Sequence, residues 1–248
     1  MAQAMVGAPS WGRLRNPTHL VTLRLAGILP EKRLQELRVW RDEQLALVPS
    51  EPRLAREFRT RIQQRFFTEY DYLLDEHRDN VLLADQRLGA LVRRQLLARA
   101  KDGYMVLAYA VMPNHVHAVL EVTAPLAPAE APESPPGEPP PDRDVYSVSS
   151  DEEPDEKSPL ADFLRQFKHE TATEAFALLD DGRELKWHPA TFDFWIRSEP
   201  ELEAIIEYIA QNPVEAGLVQ SPEQWFFCSA HERFLYDATT NGWQPRYD

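Results

Sequence analysis

Cysteine and long apolar runs are nearly absent from this sequence of 248 residues. The single cysteine, Cys228, excludes a disulfide framework within one chain and is typical of a reducing cytoplasm. No apolar run approaches the roughly 18–20 residues of a membrane span. The N-terminus also lacks the basic start and apolar core of a signal peptide. We therefore expect a soluble, cytoplasmic protein with no membrane partner and enough chain to bury a hydrophobic core.

Basic residues are in short supply, since 27 Lys and Arg stand against 40 Asp and Glu and the net charge is −13. Nucleic-acid-binding domains usually carry a basic face, so this balance argues against a generic binder of that class. The acidity is uneven, because residues 123–158 hold ten acidic residues, two basic residues and nine of the 21 prolines. Such a segment buries too little apolar area to offset its chain entropy. We predict that 123–158 is a disordered insertion, which leaves −5 on the rest of the chain.

Outside this insertion, hydrophobic periodicity predicts that strands and helices alternate. The strand before Met112 and the strand after Asn114 are close enough to form a β-hairpin. Ser198 and Glu201 have the spacing of a helix capping box, and Pro213 is predicted to close that helix. The pattern predicts an α+β fold with a partly antiparallel sheet and helices packed on it. Predicted strands are 18–25, 104–111, 115–122 and 191–197; predicted helices are 31–48, 54–78, 87–100, 160–179 and 201–211.

Two histidines lie one residue apart in the most strand-like stretch of the chain, YAVMPNHVHAVLEV at 109–122. On a strand, His115 and His117 share a face while Val116 points to the other. Two imidazoles on one face can converge on a single cation, since imidazole is the commonest metal ligand among side chains. A pair of histidines that only form hydrogen bonds or face water remains an alternative. Further ligands elsewhere in the chain would favour the metal site.

The predicted helix near residue 208 places two polar side chains on one face. Tyr208 lies at the edge of an apolar stripe, and Asn212 follows four residues later, one turn further along the same face. Each has a structural alternative. A tyrosine at a stripe edge often packs with its hydroxyl in water, and an asparagine before proline often only ends a helix.

Together these motifs resemble a known family, the REP-associated tyrosine transposases of the single-tyrosine HUH (IS200-like) transposase superfamily. The resemblance rests on MPNHVH (112–117) followed, beyond a helix, by YIAQNPVEAGLV (208–219). Five further stretches are similar to the family, and the resemblance covers most of the chain outside the acidic insertion. They are HLVTLRLAG (19–27), FFTEYDYLLD (66–75), LRQFKHETA (164–172), FDFWIRSEPELEAIIEYIAQNP (192–213) and the final W-x-x-x-S (225–229).

The resemblance implies a ferredoxin-like or RRM-like HUH domain built from 1–122 and 159–248, with 159–248 carrying the tyrosine helix. It implies a metal-dependent endonuclease and strand transferase, active in DNA transposition and recombination, which cuts single-stranded DNA beside hairpin-forming palindromes. His115, His117 and Asn212 would hold Mg²⁺ or Mn²⁺, and Tyr208 would be the nucleophile. It also implies a bacterial, nucleoid-associated protein whose partner is single-stranded or hairpin DNA, and it favours a monomer.

Positive side chains and aromatic rings usually combine to bind single strands, and three basic residues are candidates for DNA contacts. Arg24 lies in the first strand. Lys168 lies where the family has a lysine near DNA, although a solvated helix face would also explain it. Arg197, at a strand-to-helix junction, could contact phosphate or pair with a carboxylate such as Asp193.

The chain departs from the family in its acidic insertion, because relatives commonly have a short connection there. Its charge would weaken salt-sensitive attraction to DNA. A second function therefore stays open, that of a non-catalytic DNA-binding regulator descended from such a transposase. The four candidate site residues favour the enzyme, and the charge favours the regulator.

Overall fold

The structure is a computed structural model, and it describes residues 17–77, 80–98, 103–123 and 159–231. Apart from Thr123, the predicted disordered insertion 123–158 lies outside the described residues, so that prediction and the domain boundaries drawn around it stay predictions. No helix in the described ranges is long and apolar enough to cross a membrane. In chain order the elements are β1 (Thr18–Arg24), α1 (Glu31–Ala46), α2 (Pro52–Glu76), α3 (Gln86–Ala98), β2 (Tyr104–Val111), β3 (His115–Val122), α4 (Pro159–Leu178), β4 (Phe192–Ile196) and α5 (Glu199–Glu215).

The four strands form one sheet in the order β2-β3-β1-β4, and every neighbouring pair is antiparallel. With helices between β1 and β2 and between β3 and β4, the chain follows the β-α-β-β-α-β order of a ferredoxin-like sheet. The predicted α+β class with an antiparallel sheet is confirmed, as is the hairpin of β2 and β3. In the β1–β3 register, Thr22 lies opposite His117 and Arg24 lies opposite His115.

Strand β3 is the centre of the molecule, since all eight of its residues are buried. Alternation along the strands gives the sheet two faces, and helices cover both. On the histidine face, α2 packs Phe67 against Phe192 of β4, with ring centroids 4.9 Å apart. On the other face, α4 packs Phe163 against Tyr104 of β2 at 4.8 Å. The histidines therefore lie in an interior layer between sheet and helices.

The segment after α5 covers the outer edge of β2. Trp225 Nε1–H donates to the carbonyl of Val111 (3.0 Å), and Ser229 N–H donates to the carbonyl of Tyr109 (2.8 Å). In return, the N–H of Tyr109 donates to Ser229 Oγ (3.1 Å). An open strand edge presents unpaired backbone groups, so these contacts satisfy them. The W-x-x-x-S spacing thus has a structural reason, because both of its defined residues bond to β2.

Helix α5 has the predicted cap at Ser198, but it begins at Glu199, two residues before the predicted start, and ends later than predicted. Ser198 is the N-cap, and its Oγ accepts from the N–H of Glu201 (3.3 Å). The prediction that Pro213 closes the helix is wrong, because α5 runs on to Glu215 with Pro213 inside it. Inside a helix, proline forfeits one backbone hydrogen bond and its ring crowds the carbonyl four residues before it, but only two residues of α5 follow Pro213. That bond would have gone to the carbonyl of Ile209, which Cys228 Sγ approaches at 4.0 Å.

Candidate active site

The histidine pair lies on one face of β3, as strand alternation predicted. Both side chains are fully buried, at 0% exposure. Their Nε2 atoms are 3.0 Å apart, and the rings meet edge to face with centroids at 4.6 Å. The Nδ1 atom of His117 is held by Thr22 Oγ1 on the neighbouring strand (2.8 Å). Both Nε2 atoms consequently face the layer between the sheet and helix α2.

Helix α2 brings a carboxylate to this pair that the sequence analysis did not single out. Asp71 is 5% exposed, and its Oδ1 atom lies 2.9 Å from His117 Nε2 and 4.0 Å from His115 Nε2. A signal was available in the sequence. Asp71 stands four residues after Phe67 and three before Leu74, so it interrupts an apolar helical stripe with a charge. Buried carboxylates are rare unless they are paired or bind a metal.

The group of Asp71, His115 and His117 could hold a metal ion. Two ligands at right angles around an ion, each about 2.1 Å from it, would be about 3.0 Å apart. The two Nε2 atoms are separated by 3.0 Å, and His117 Nε2 and Asp71 Oδ1 by 2.9 Å. No described residue donates a hydrogen bond of good geometry to Asp71 Oδ1, although His117 Nε2 lies only 2.9 Å from it. The separations of these two nitrogen atoms and the carboxylate oxygen therefore match those of ligands around one cation.

Helix α5 places both of its predicted residues against the same carboxylate. Tyr208 Oη donates to Asp71 Oδ2, and Asn212 Nδ2 donates to that oxygen as well (3.0 Å). Asn212 Nδ2 also lies 3.3 Å from Tyr208 Oη, and the buried Asn212 Oδ1 accepts no hydrogen bond from the described residues. The neighbouring Gln211 turns away and bonds to Glu207 (2.9 Å). Asp71 therefore joins the histidine pair to the tyrosine, and Asn212 reaches it directly.

Burial and charge decide the protonation of this cluster. Burial, with a smaller effect of His117, lowers the pKa of His115 to about 3, so that ring is neutral. Burial alone would raise the pKa of Asp71, but the adjacent His117 and His115 and the Tyr208 hydroxyl together hold it far below its usual range. Burial and the negative Asp71 raise the pKa of Tyr208 well above its usual value. The cluster thus holds an ionised carboxylate, a neutral His115 and a protonated phenol.

An aromatic wall closes one side of the cluster. The ring of Phe67 meets His117 at 6.0 Å and Tyr208 at 5.3 Å between centroids, in both cases edge to face. Phe67 comes from α2, one turn before Asp71. A single helix thus supplies both the carboxylate and an apolar side that limits water near it, and electrostatic interactions are stronger where water is excluded.

The three predicted DNA-binding residues lie in different surroundings. Arg24 is 4% exposed, lies across from His115 and hydrogen-bonds the Tyr70 hydroxyl. Lys168 Nζ donates to the carbonyls of His188 (3.0 Å) and Pro189 (2.6 Å).

Arg197 is exposed, and its guanidinium lies 5.7 Å from the ring centroid of Trp195. Asp193, its suggested partner, pairs with His19 at 2.8 Å. Of the three DNA candidates, Arg24 alone is a cross-strand neighbour of a site histidine. Contacts of all three with DNA stay predictions.

No family model and no curated protein matches the chain. Among solved structures, one similar chain is described as the REP-associated tyrosine transposase bound to a REP hairpin. The two are 15% identical, with a TM-score of 0.44, and the match covers 100% of this chain and 91% of that one. At this level of similarity the likeness carries no conclusion about function. The proposals below rest on the residues of the site.

Proposed function

We propose that this chain is a metal-dependent endonuclease and strand transferase acting on single-stranded DNA beside hairpin-forming palindromes, through a 5′-phosphotyrosine at Tyr208. One observation carries the proposal. The two carboxylate oxygens of Asp71 face a buried histidine pair on one side and the Tyr208 hydroxyl on the other. A tyrosine held beside a candidate metal site suits phosphoryl transfer to a phenol, because a cation can polarise the phosphate that the phenol attacks.

His115, His117 and Asp71 would hold the divalent cation, with Asn212 beside them as a further oxygen donor. Mg²⁺ prefers oxygen ligands, and imidazole suits Mn²⁺ at least as well, so we expect either ion to bind. A bound dication would draw charge from the phosphate oxygens and orient the scissile group. Two neutral imidazoles and one carboxylate would leave such an ion with net positive charge, which is useful for that purpose.

Tyr208 Oη would attack the phosphorus, and the bond from phosphorus to the 3′ oxygen would break. The products would be a 5′-phosphotyrosine and a strand ending in a 3′-OH, so the proton lost by the phenol is balanced by the proton gained by the 3′ oxygen. The hydrogen bond from the phenol to Asp71 Oδ2 would orient Tyr208, while the lowered pKa of that carboxylate makes it a weak base. Because the phosphodiester bond is exchanged and not hydrolysed, a 3′-OH can reverse the step and join strands without ATP.

A second function, DNA binding without cleavage, is supported by the charges around the tyrosine. Asp71, Asp75 and Glu215 all act to keep the Tyr208 phenol protonated. A phenol with a pKa of about 10 is already a weak nucleophile at neutral pH. Cleavage is therefore expected only when a cation offsets this negative charge. If the chain binds DNA but never forms a covalent protein–DNA adduct, its function would be that of a non-catalytic DNA-binding regulator.

The experiment incubates the purified full chain with labelled single-stranded hairpin DNA, taken from palindromes flanking its gene, with and without Mn²⁺. Denaturing gels then reveal covalent protein–DNA adducts. The chain is compared with Tyr208→Phe and with Tyr72→Phe, a matched control at a tyrosine that is 61% exposed. An adduct that requires Mn²⁺ and Tyr208 but survives Tyr72→Phe is the expected result. DNA binding without an adduct would support the regulator, and neither binding nor adduct would refute both.

A further inference from the structure

Asn114, in the turn between β2 and β3, uses both ends of its side chain although it is only 4% exposed. Its Nδ2 group donates to the carbonyls of Leu74 (2.8 Å) and His77 (2.7 Å) at the end of α2. Its Oδ1 atom lies 2.7 Å from His115 Nδ1. One buried amide therefore connects a proposed metal ligand to the helix that carries Asp71.

These contacts decide which way the amide points. A reversed amide would place its oxygen against the oxygens of Leu74 and His77, with no proton between them. The nitrogen must therefore face the two carbonyls, and Oδ1 must face His115. An amide oxygen only accepts hydrogen bonds, so the proton of the contact belongs to His115 Nδ1.

A neutral imidazole carries one proton, and with that proton on Nδ1 the Nε2 atom keeps a lone pair. His115 Nε2 is the atom that lies 3.0 Å from His117 Nε2 and 4.0 Å from Asp71 Oδ1. The bond to Asn114 thus points a lone pair at the candidate metal site. The hydrogen bond between Thr22 and His117 Nδ1 does not fix the tautomer of His117, because the Thr22 hydroxyl can either donate or accept.

The same amide also holds the end of α2. The last carbonyls of a helix lack partners within it, and a buried carbonyl left unpaired is costly. Helix α2 ends at Glu76, and Asn114 satisfies the carbonyls of Leu74 and of the C-cap His77. Asp71 lies about one turn before Leu74, so Asn114 holds α2 close to the carboxylate.

We infer that Asn114 is a positioning residue that selects the Nδ1–H tautomer of His115 and clamps helix α2 so that Asp71 reaches the same cation. This inference deepens the proposed function and rests on its metal site. Residues that orient metal ligands typically contribute a factor of 10–100 to metal affinity. Asn114→Ala should therefore weaken Mn²⁺ binding about 10–100-fold.

The first measurement uses the unaltered full chain. Long-range ¹H–¹⁵N correlation spectra separate the two imidazole tautomers, and the signals of His115 are assigned by their loss in His115→Gln. At neutral pH the proton should be on Nδ1. A proton on Nε2 would overturn the inference, and this measurement needs neither DNA cleavage nor metal, so it separates failure here from failure of the proposed function.

The second measurement compares Asn114→Ala with Asn80→Ala, a control whose amide makes a longer contact to the Ala26 carbonyl (3.5 Å). Asn114→Ala should yield mixed His115 tautomers together with weaker Mn²⁺ binding, and Asn80→Ala should change neither. A purely structural role would lower thermal stability and leave the tautomer unchanged, and this would overturn the inference. If Asn114→Ala does not fold, the His115 tautomer measured in the unaltered chain decides whether the inference holds.

Discussion

Replacing Asp71 with asparagine tests the feature on which the proposed metal site depends most. The substitution keeps the size of the side chain and its contacts with Tyr208 and Asn212, but it removes the negative charge 2.9 Å from His117 Nε2. A cation held by two neutral imidazoles and a neutral amide is bound less tightly than one that also has a carboxylate. We expect the affinity for Mn²⁺ to fall at least tenfold.

The size of the effect follows from linkage. A ligand that binds only the folded chain stabilises it by RT ln(1 + [L]/Kd), so a tenfold weaker Kd removes about 1.4 kcal/mol of that stabilisation at saturating Mn²⁺. For a domain of this size, 1 kcal/mol corresponds to about 2–4 °C in Tm. The rise in Tm on adding Mn²⁺ should thus be smaller by about 3–6 °C in Asp71→Asn.

The assay is thermal unfolding at a series of Mn²⁺ concentrations, with isothermal titration of the same samples. Asp75→Asn is the matched control, because Asp75 lies one turn further along α2 and outside the candidate metal group. It removes the same charge without removing a candidate ligand, and it should change the affinity less than about twofold, because the charge of a half-buried side chain is partly screened by salt. Equal losses in the two variants, or an unchanged Tm rise in Asp71→Asn, would refute ligation by Asp71.

Three other predictions follow from single contacts. Thr22→Val removes the hydroxyl beside His117 Nδ1 and should weaken Mn²⁺ binding about 10–100-fold in the same titration. Thr22→Ser keeps a hydroxyl at this position and should bind Mn²⁺ like the unaltered chain. Gly89→Ala would place a Cβ 2.7 Å from the Phe227 ring, so urea unfolding should show a loss of about 1–3 kcal/mol; an unchanged midpoint would contradict this packing. Burial raises the pKa of the Cys228 thiol from 9.0 to about 11, so its contribution to stability is present below pH 9 and lost as the pH rises to 11. The unaltered chain should then lose up to about 1.4 kcal/mol more than Cys228→Ala for each pH unit within that window, and parallel pH profiles would contradict it.

The local pattern of the sequence predicted the elements and the direction of the site side chains. The alternation around His115 and His117 predicted a shared strand face, and the four-residue spacing of Tyr208 and Asn212 predicted a shared helix face. Both hold in the structure. Such periodicities depend only on neighbouring residues, because the geometry of a strand or helix repeats every few residues.

Tertiary structure alone decided which faces meet. Asp71 lies 44 residues before His115 along the chain, and nothing local predicts that α2 would pack over β3 and set its carboxylate 2.9 Å from His117. Likewise, Pro213 was expected to end α5, but the helix continues to Glu215 with Asn212 and Pro213 both buried. Tertiary packing supplies most of the stability of a helix in a folded protein. Sequence periodicity determines where a side chain points, whereas the distances that make a site come from long-range packing.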